Sequence, residues 1–201
     1  MTTRVDNILI GPGKVWRADP NTALPDETSV NYGADWTGWT ALGLLMTGSG
    51  VQLRHSSTMY DVKADGILLP LKRVPTSREV AFAFTLLEYT PANLQLVFPD
   101  NTLSETDAAN GQRAFADLKV GSGQDNPSYC IGIEAFRQDS NGKKQPVRWR
   151  LYEASVEQDG ETPFQQGAAS MLPIVCHALH NDDAGQVAQM IYVSAPASDE
   201  S

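Results

Sequence analysis

The chain has 201 residues, 41% of them hydrophobic, with 15 Lys and Arg against 24 Asp and Glu; its formal net charge is -9 and its sequence pI about 4.7. That acidity argues against a surface built to grip nucleic-acid phosphates, and no apolar run approaches the ~20 residues of a membrane-spanning helix. The opening MTTRVDNILIGPG carries one Arg and no long apolar core, so the reading is of a single domain made in the cytoplasm without a signal peptide or membrane insertion.

Ile8-Leu9-Ile10 and Gly11-Pro12-Gly13 lead into a short strand from Lys14 to Ala18, and Asp19-Pro20-Asn21 is turn chemistry. Residues 20–35 are polar and rich in Pro, Asp and Asn, which predicts a loop. Trp36-Thr37-Gly38-Trp39 and the apolar Leu42–Met46 follow, and Gly48-Ser49-Gly50 is a turn. Alternation then starts with Val51, Leu53 and His55, and continues with Tyr60, Val62 and Ala64 against Met59, Asp61, Lys63 and Asp65, a strand with one wet face. After Asp65-Gly66, the run Ile67–Leu71 is apolar again, so three strands are expected between Val51 and Leu86. Lys72-Arg73-Val74-Pro75 is placed on a projecting hairpin.

The clearest junction runs from Val80 to Phe98. Val80, Phe82, Phe84 and Leu86 alternate with Ala81, Ala83 and Thr85, which predicts a strand with a bulky face for a core and a tight face for a second close surface. Thr90-Pro91 then pairs a favoured N-cap with a residue suited to the first helical turn. Leu94, Val97 and Phe98 follow at helical spacing, and Pro99-Asp100-Asn101 stops the helix.

Residues 99–128 lack a sustained period and read as a long loop anchored by Phe115 and Leu118, or as a short helix near Ala108–Leu118. A hairpin spans 128–160. Tyr129, Ile131, Ile133 and Ala135 alternate on its first strand, Asn141-Gly142 lies in its turn, and Val147, Trp149 and Leu151 line the return strand. Its other face, with Glu134, Arg148 and Arg150, reads as wet. Leu172, Ile174, Cys176 and Ala178 predict one more strand and Val187–Val193 a last one, before the polar tail APASDES. The sum is about eight or nine strands and one short helix: a mostly β, antiparallel sandwich or barrel with a flanking helix and long loops, a single domain over 1–201 with flexible ends at 1–7 and 195–201.

No motif carries catalysis. Gly11-Pro12-Gly13-Lys14 lacks phosphate-loop spacing, and Gly48-Ser49-Gly50 is no nucleophile elbow. His177 and His180 point to opposite faces of a strand, which disfavours a shared metal, and Cys130 and Cys176 read as free buried thiols. No enzyme, cofactor or metal is expected. Trp36 and Trp39 read as packing residues at a loop base, or as the platform of a ligand- or carbohydrate-binding module.

Three stretches, in order, resemble the tail tube (major tail) proteins of long, non-contractile-tailed bacteriophages. Leu9 to Pro25 looks like the family opening G-x-G-x-V-x-x-A-P-x-G-T-x-x-P, departing from it at Asp19-Pro20-Asn21. Trp39-Thr40-Ala41-Leu42-Gly43 with Gly48 and Gly50-Val51 is similar to W-x-x-L-G-x-T-x-x-G-V. Val80–Phe98 is similar to v-x-f-x-L-x-E-x-T-x-x-N-L, carried here by Phe84 to Leu94. The resemblance covers roughly the first hundred residues. It implies a β-sandwich with a flanking helix, hexameric rings sharing a β-barrel and stacking around a tape-measure protein, and contacts with tail terminator and distal tail proteins. It places the chain in the virion tail, with genomic DNA passing non-specifically down a lumen whose acidic wall would repel phosphate. Under it, Asp61, Lys63, Asp65 and Glu79 are lumen-lining candidates, and Trp36, Trp39, Lys72, Arg73, Arg148 and Arg150 are inter-subunit or inter-ring candidates. A tail terminator, a distal hub or the inner tube of a contractile system would share the sandwich.

Overall fold

A computed structural model describes residues 9–26, 30–46, 48, 50–65, 67–98, 101–109, 111–121, 127–138, 142–162, 169–183 and 185–193. The ends expected to be flexible, the turn residues Ser49 and Gly66, the helix stop at Pro99-Asp100 and most of the turn at 139–141 lie outside these residues. The elements in order are β1 (Leu9–Ala18), β2 (Thr40–Ala41), β3 (Gln52–Val62), β4 (Lys72–Leu86), α1 (Pro91–Leu94), β5 (Asn101–Thr106), β6 (Phe115–Val120), β7 (Ser128–Gln138), β8 (Lys144–Gln158), β9 (Leu172–Ala178) and β10 (Ala188–Tyr192). All strand pairs are antiparallel. The main sheet runs β2-β1-β7-β8-β9-β4-β3, with β10 also on β8, while β5 and β6 form a separate pair.

β8 is the spine. It pairs with β7 over most of its length, with β10 through Val147–Leu151 and with β9 through Ala154–Gln158. One apolar cluster joins Val15 of β1, Ile131 and Ile133 of β7 and Leu151 of β8 to Phe82, Phe84 and Leu86 of β4 and Leu172 and Ile174 of β9. The two ends of the sheet thus close over a common core, as in a β-sandwich. The period of two in β4 decides which residues enter it: Phe82, Phe84 and Leu86 face the core, each worth ~1.5–3 kcal/mol when fully buried. Ala81 and Ala83 face the other way and pack closely with Val175. Cys130 and Cys176 are buried and free.

α1 starts as the sequence dictates. Thr90 Oγ1 accepts from Asn93 N at 3.2 Å, and Pro91 opens the first turn. The helix is shorter than the expected stretch to Phe98. Past Leu94 the backbone tightens to three-residue spacing, with Leu96 N donating to Asn93 O and Val97 N to Leu94 O. Leu96 and Val97 are nevertheless buried in the core, with Leu94 and Phe98 packed against it.

Three expectations are corrected. Between Val51 and Leu86 there are two strands, not three. Gln52–Val62 is one continuous strand, and Ile67–Leu71 belongs to the tip of a long hairpin, closed by Leu71 N donating to Val62 O at 2.8 Å. Its apolar run imitates a strand but is uncovered: Leu68 is 99% exposed. Asn101–Thr106 and Phe115–Val120 pair as the β5–β6 hairpin in place of the expected loop or helix. Gly111 at φ +82° and a Gln112 N–Ala109 O turn break the stretch that could have been helical, and Phe115 is exposed and anchors nothing. Finally, the supposedly wet face of β7–β8 is covered, because Glu134 and Arg148 are fully buried.

Candidate assembly surfaces

The β3–β4 hairpin outgrows the body. Every residue of β3 is exposed except Asp61, which is half-buried, and β4 is exposed from Lys72 to Glu79. β9 pairs with β4 only from Ala81 to Leu86, so the outer half of β4 and the outer edge of β3 have no neighbouring strand among the described residues. At ~3.3 Å per residue, such an arm reaches roughly 30 Å. Bare edges of this length are templates for pairing with another chain.

The lumen candidates do not share one face of this arm. Asp61 pairs with Arg73 directly across the hairpin, at 3.0 Å. Glu79 is opposite Ser56, five residues from Asp61 along β3, so the pleat turns it to the other face. There it accepts from Ser56 Oγ at 3.2 Å and meets His177 Nδ1 at 2.7 Å, while Arg54 reaches Asp159 at 3.4 Å. These exposed pairs contribute little individually, ~0–1 kcal/mol, but they tie the root of the arm to β9 and the end of β8. Lys63 and Asp65 follow β3 toward the tip and are exposed, as is Lys72 at the start of β4. The stretch from Gln52 to Leu86 holds five Lys and Arg (Arg54, Lys63, Lys72, Arg73, Arg78) against Asp61, Asp65 and Glu79, a net +2 within a chain of -9. The acidity therefore resides elsewhere in the chain.

The inter-subunit candidates divide in two. Lys72 and Arg73 sit on the exposed arm. Trp36, Trp39, Arg148 and Arg150 instead hold the described parts of the loop, residues 22–26 and 30–39, against the sheet. Trp36 stacks on Trp16 with centroids 5.3 Å apart, and Trp39 meets Trp36 edge-on at 5.3 Å. Rings buried to 2% and 8% exposure offer no open face to a glycan. Arg148 Nε donates to Glu134 Oε1 at 3.2 Å and its NH2 group to Val30 O at 2.5 Å, while Gly33 N donates to Glu134 Oε2 at 2.8 Å. Arg150 donates to Thr22 O at 2.6 Å and to Gln189 at 2.8 Å; Trp39 Nε1 donates to Ala23 O and Lys14 Nζ to Gly33 O. The loop thus becomes a strap held to β8 through Thr22 O and Val30 O, to β7 through Gly33 N and to β1 through Gly33 O. Burial of Tyr32 within it, with Glu134 nearby, raises the phenol's pKa. Sequence reading missed Glu134 as the partner of Arg148. The available signal was cross-strand: two opposite charges on facing, otherwise apolar strands.

The motifs Leu42-Gly43 and Leu86-x-Glu88-x-Thr90-x-x-Asn93 meet in space. Gly43 takes φ +89°, and a Cβ there would collide with the Glu88 carboxylate. Glu88 Oε1 accepts from Leu44 N at 3.0 Å; Asn93 Nδ2 donates to Leu42 O at 3.1 Å and to Glu88 O at 2.8 Å. Leu45 bridges to Leu86, so the residues 42–46 are clasped to the end of β4 just before α1. The family model described as phage tail tube protein matches residues 1–199, the motif-poor second half included. The chain belongs to the phage tail tube protein family. No curated protein sequence matches it. Tail tube proteins are structural: they assemble with themselves into a tube and reside in the virion tail. Among the described residues, no helix is long and apolar enough to cross a membrane, and no group of three or more His, Cys, Asp or Glu is placed to hold a metal.

Proposed function

We propose that this tail tube protein, folded as one domain and made in the host cytoplasm, forms hexameric rings that stack into the tube of a long, non-contractile tail and conduct DNA during delivery. It does this as a structural element, without enzymatic chemistry or a cofactor. The observation that carries the reading is the β3–β4 arm: β3 and the outer half of β4, Lys72–Glu79, are exposed and, among the described residues, have no neighbouring strand along their outer edges, on a chain whose family builds tubes. Six such arms, edge to edge, would satisfy their unpaired backbone groups in a shared barrel. Asp61, Lys63, Asp65 and Glu79 then lie on the arm that borders the lumen. Arg73 and Arg54 are paired by Asp61 and Asp159, so two of the arm's five cations are already engaged when DNA passes. Lys72 and Arg73 would act at contacts between copies directly. Trp36, Trp39, Arg148 and Arg150 would act there through the shape of the strap they hold. A tape-measure protein inside the tube and terminator and distal tail proteins at its ends complete the set of partners.

The test is negative-stain electron microscopy of the concentrated protein beside light scattering, with antibody labelling of virions. Hollow six-fold rings or open tubes, and label along the whole tail, are expected. A closed oligomer that never stacks, with label at one end of the tail only, would move the assignment to a terminator or hub.

A further inference from the structure

The β5–β6 pair is a second arm. Among the described residues it is hydrogen-bonded to no other strand, and α1 lies against β6. A lone two-stranded hairpin is marginal in water. Its pairing puts Leu103 and Leu118 together on one face, with Val120 and Ala116 to either side, yet the two leucines are only half-buried and Val120 is 51% exposed. Asp117 is spent on Lys119, at 3.8 Å. Glu105 and Asp107, both exposed, form no ion pair among the described residues, and nor does Arg113 in the turn.

The tip of the β3–β4 hairpin has the opposite charge and a matching apolar surface. Ile67, Leu68, Leu69 and Leu71 are exposed, with Leu68 at 99% and Leu69 at 76%. Lys63 and Lys72 flank them and Arg78 lies further down the arm; among the described residues none of the three forms an ion pair, and nor does Asp65. No hydrogen bond or ion pair among the described residues joins this tip to the β5–β6 arm of the same chain. The tip is exposed and the arm's apolar face partly so, and each is edged by charge of opposite sign that is unpaired among the described residues.

We propose that the leucine tip of one copy seats against the apolar face of the β5–β6 arm of a second copy, with Lys63 and Lys72 facing Glu105 and Asp107. The contact joins two different patches, so it is head-to-tail, and repeating it closes a ring or extends a stack. It rests on the self-assembly reading above and names the pair of surfaces that reading leaves open.

Charge exchange tests it. The variants K63E/K72E and E105K/D107K alter only exposed side chains, so the monomer should keep its near-ultraviolet circular dichroism and melting temperature. Each should raise the protein concentration at which rings or tubes appear by about tenfold. The quadruple variant, with both sides reversed, should bring it back to within about threefold of the native chain. Half-variants that assemble like the native chain, or a quadruple variant no better than either half, would overturn the pairing while leaving the tube reading intact. A native chain that forms neither rings nor tubes would instead remove the tube reading, and this contact with it. As a second measurement, mixing L68C and V120C chains under mild oxidation should give a disulfide-linked pair containing one of each. Linkage only between identical chains would refute the geometry.

Discussion

Removing Arg148 isolates the energetics of the strap. Arg148 and Glu134 are both fully buried, paired at 3.2 Å, and each also holds a backbone group of the strap, Val30 O and Gly33 N respectively. An Arg148→Met change keeps the bulk but leaves the Glu134 carboxylate as an uncompensated buried charge, which costs ~3–5 kcal/mol. In a chain of this size each kcal/mol lowers the midpoint by roughly 2–4 °C, so the melting temperature should fall by about 6–20 °C. Adding Glu134→Leu removes the stranded charge. What then remains is the lost hydrogen bonding of Val30 O and Gly33 N, ~1–3 kcal/mol, so the double variant should be more stable than Arg148→Met alone. Urea unfolding of the monomer, followed by the fluorescence of the Trp16–Trp36–Trp39 cluster beside the pair, measures both. A cost below ~1 kcal/mol for Arg148→Met, or a double variant as unstable as the sum of the singles, would refute the reasoning. Arg148→Glu would place two carboxylates in one buried site. It is therefore expected to unfold the monomer, and any loss of tubes in that variant reports folding, not an interface.

Three further outcomes are expected. Gly132→Ala puts a Cβ 2.5 Å from Trp36 Cζ3 and 2.9 Å from Trp39 Cζ3, so the near-ultraviolet circular dichroism of the stacked rings should change and stability should drop by ~1–3 kcal/mol; an unchanged spectrum would contradict the packing. Asn93→Ala orphans Leu42 O and Glu88 O and should cost ~1–3 kcal/mol in chemical unfolding, with faster hydrogen exchange at Leu44, whose amide is held by Glu88. Burial pushes the Cys130 thiol up to about 12, and Cys176 is raised further in the same direction for the same reason. A thiol whose pKa is higher in the folded chain stabilises the fold fully below its ordinary pKa and loses that contribution as pH rises toward the folded value. The urea midpoint should therefore fall between about pH 9 and 12 more steeply in the native chain than in C130A/C176A, and a thiol reagent at pH 8 should react only on unfolding; equal slopes would refute it.

What the sequence reveals and what it hides follow from one physical distinction. Alternation reports which side chains share a face, because the pleat is local. Val80 to Leu86 therefore announced its core face correctly, as did the Tyr129–Ala135 series and the Thr90-Pro91 start of the helix. Alternation does not report what covers a face, because the cover comes from far along the chain or from another chain. Glu134 and Arg148 read as wet because charges on one face of a hairpin usually are. They are dry because a strap more than a hundred residues upstream lies on them, with Arg148 reaching back to Val30 and Glu134 to Gly33. Ile67–Leu71 read as a strand and Phe115 as an anchor because apolar residues usually find a core in their own chain, yet both are open to solvent. The two kinds of misreading have opposite consequences. A charge that is unexpectedly buried has found its cover within the monomer, so its substitution should register in unfolding experiments. An apolar run that is unexpectedly bare has found none there, so in a chain that assembles with itself its substitution should register in the concentration dependence of assembly while leaving the monomer's stability near its native value.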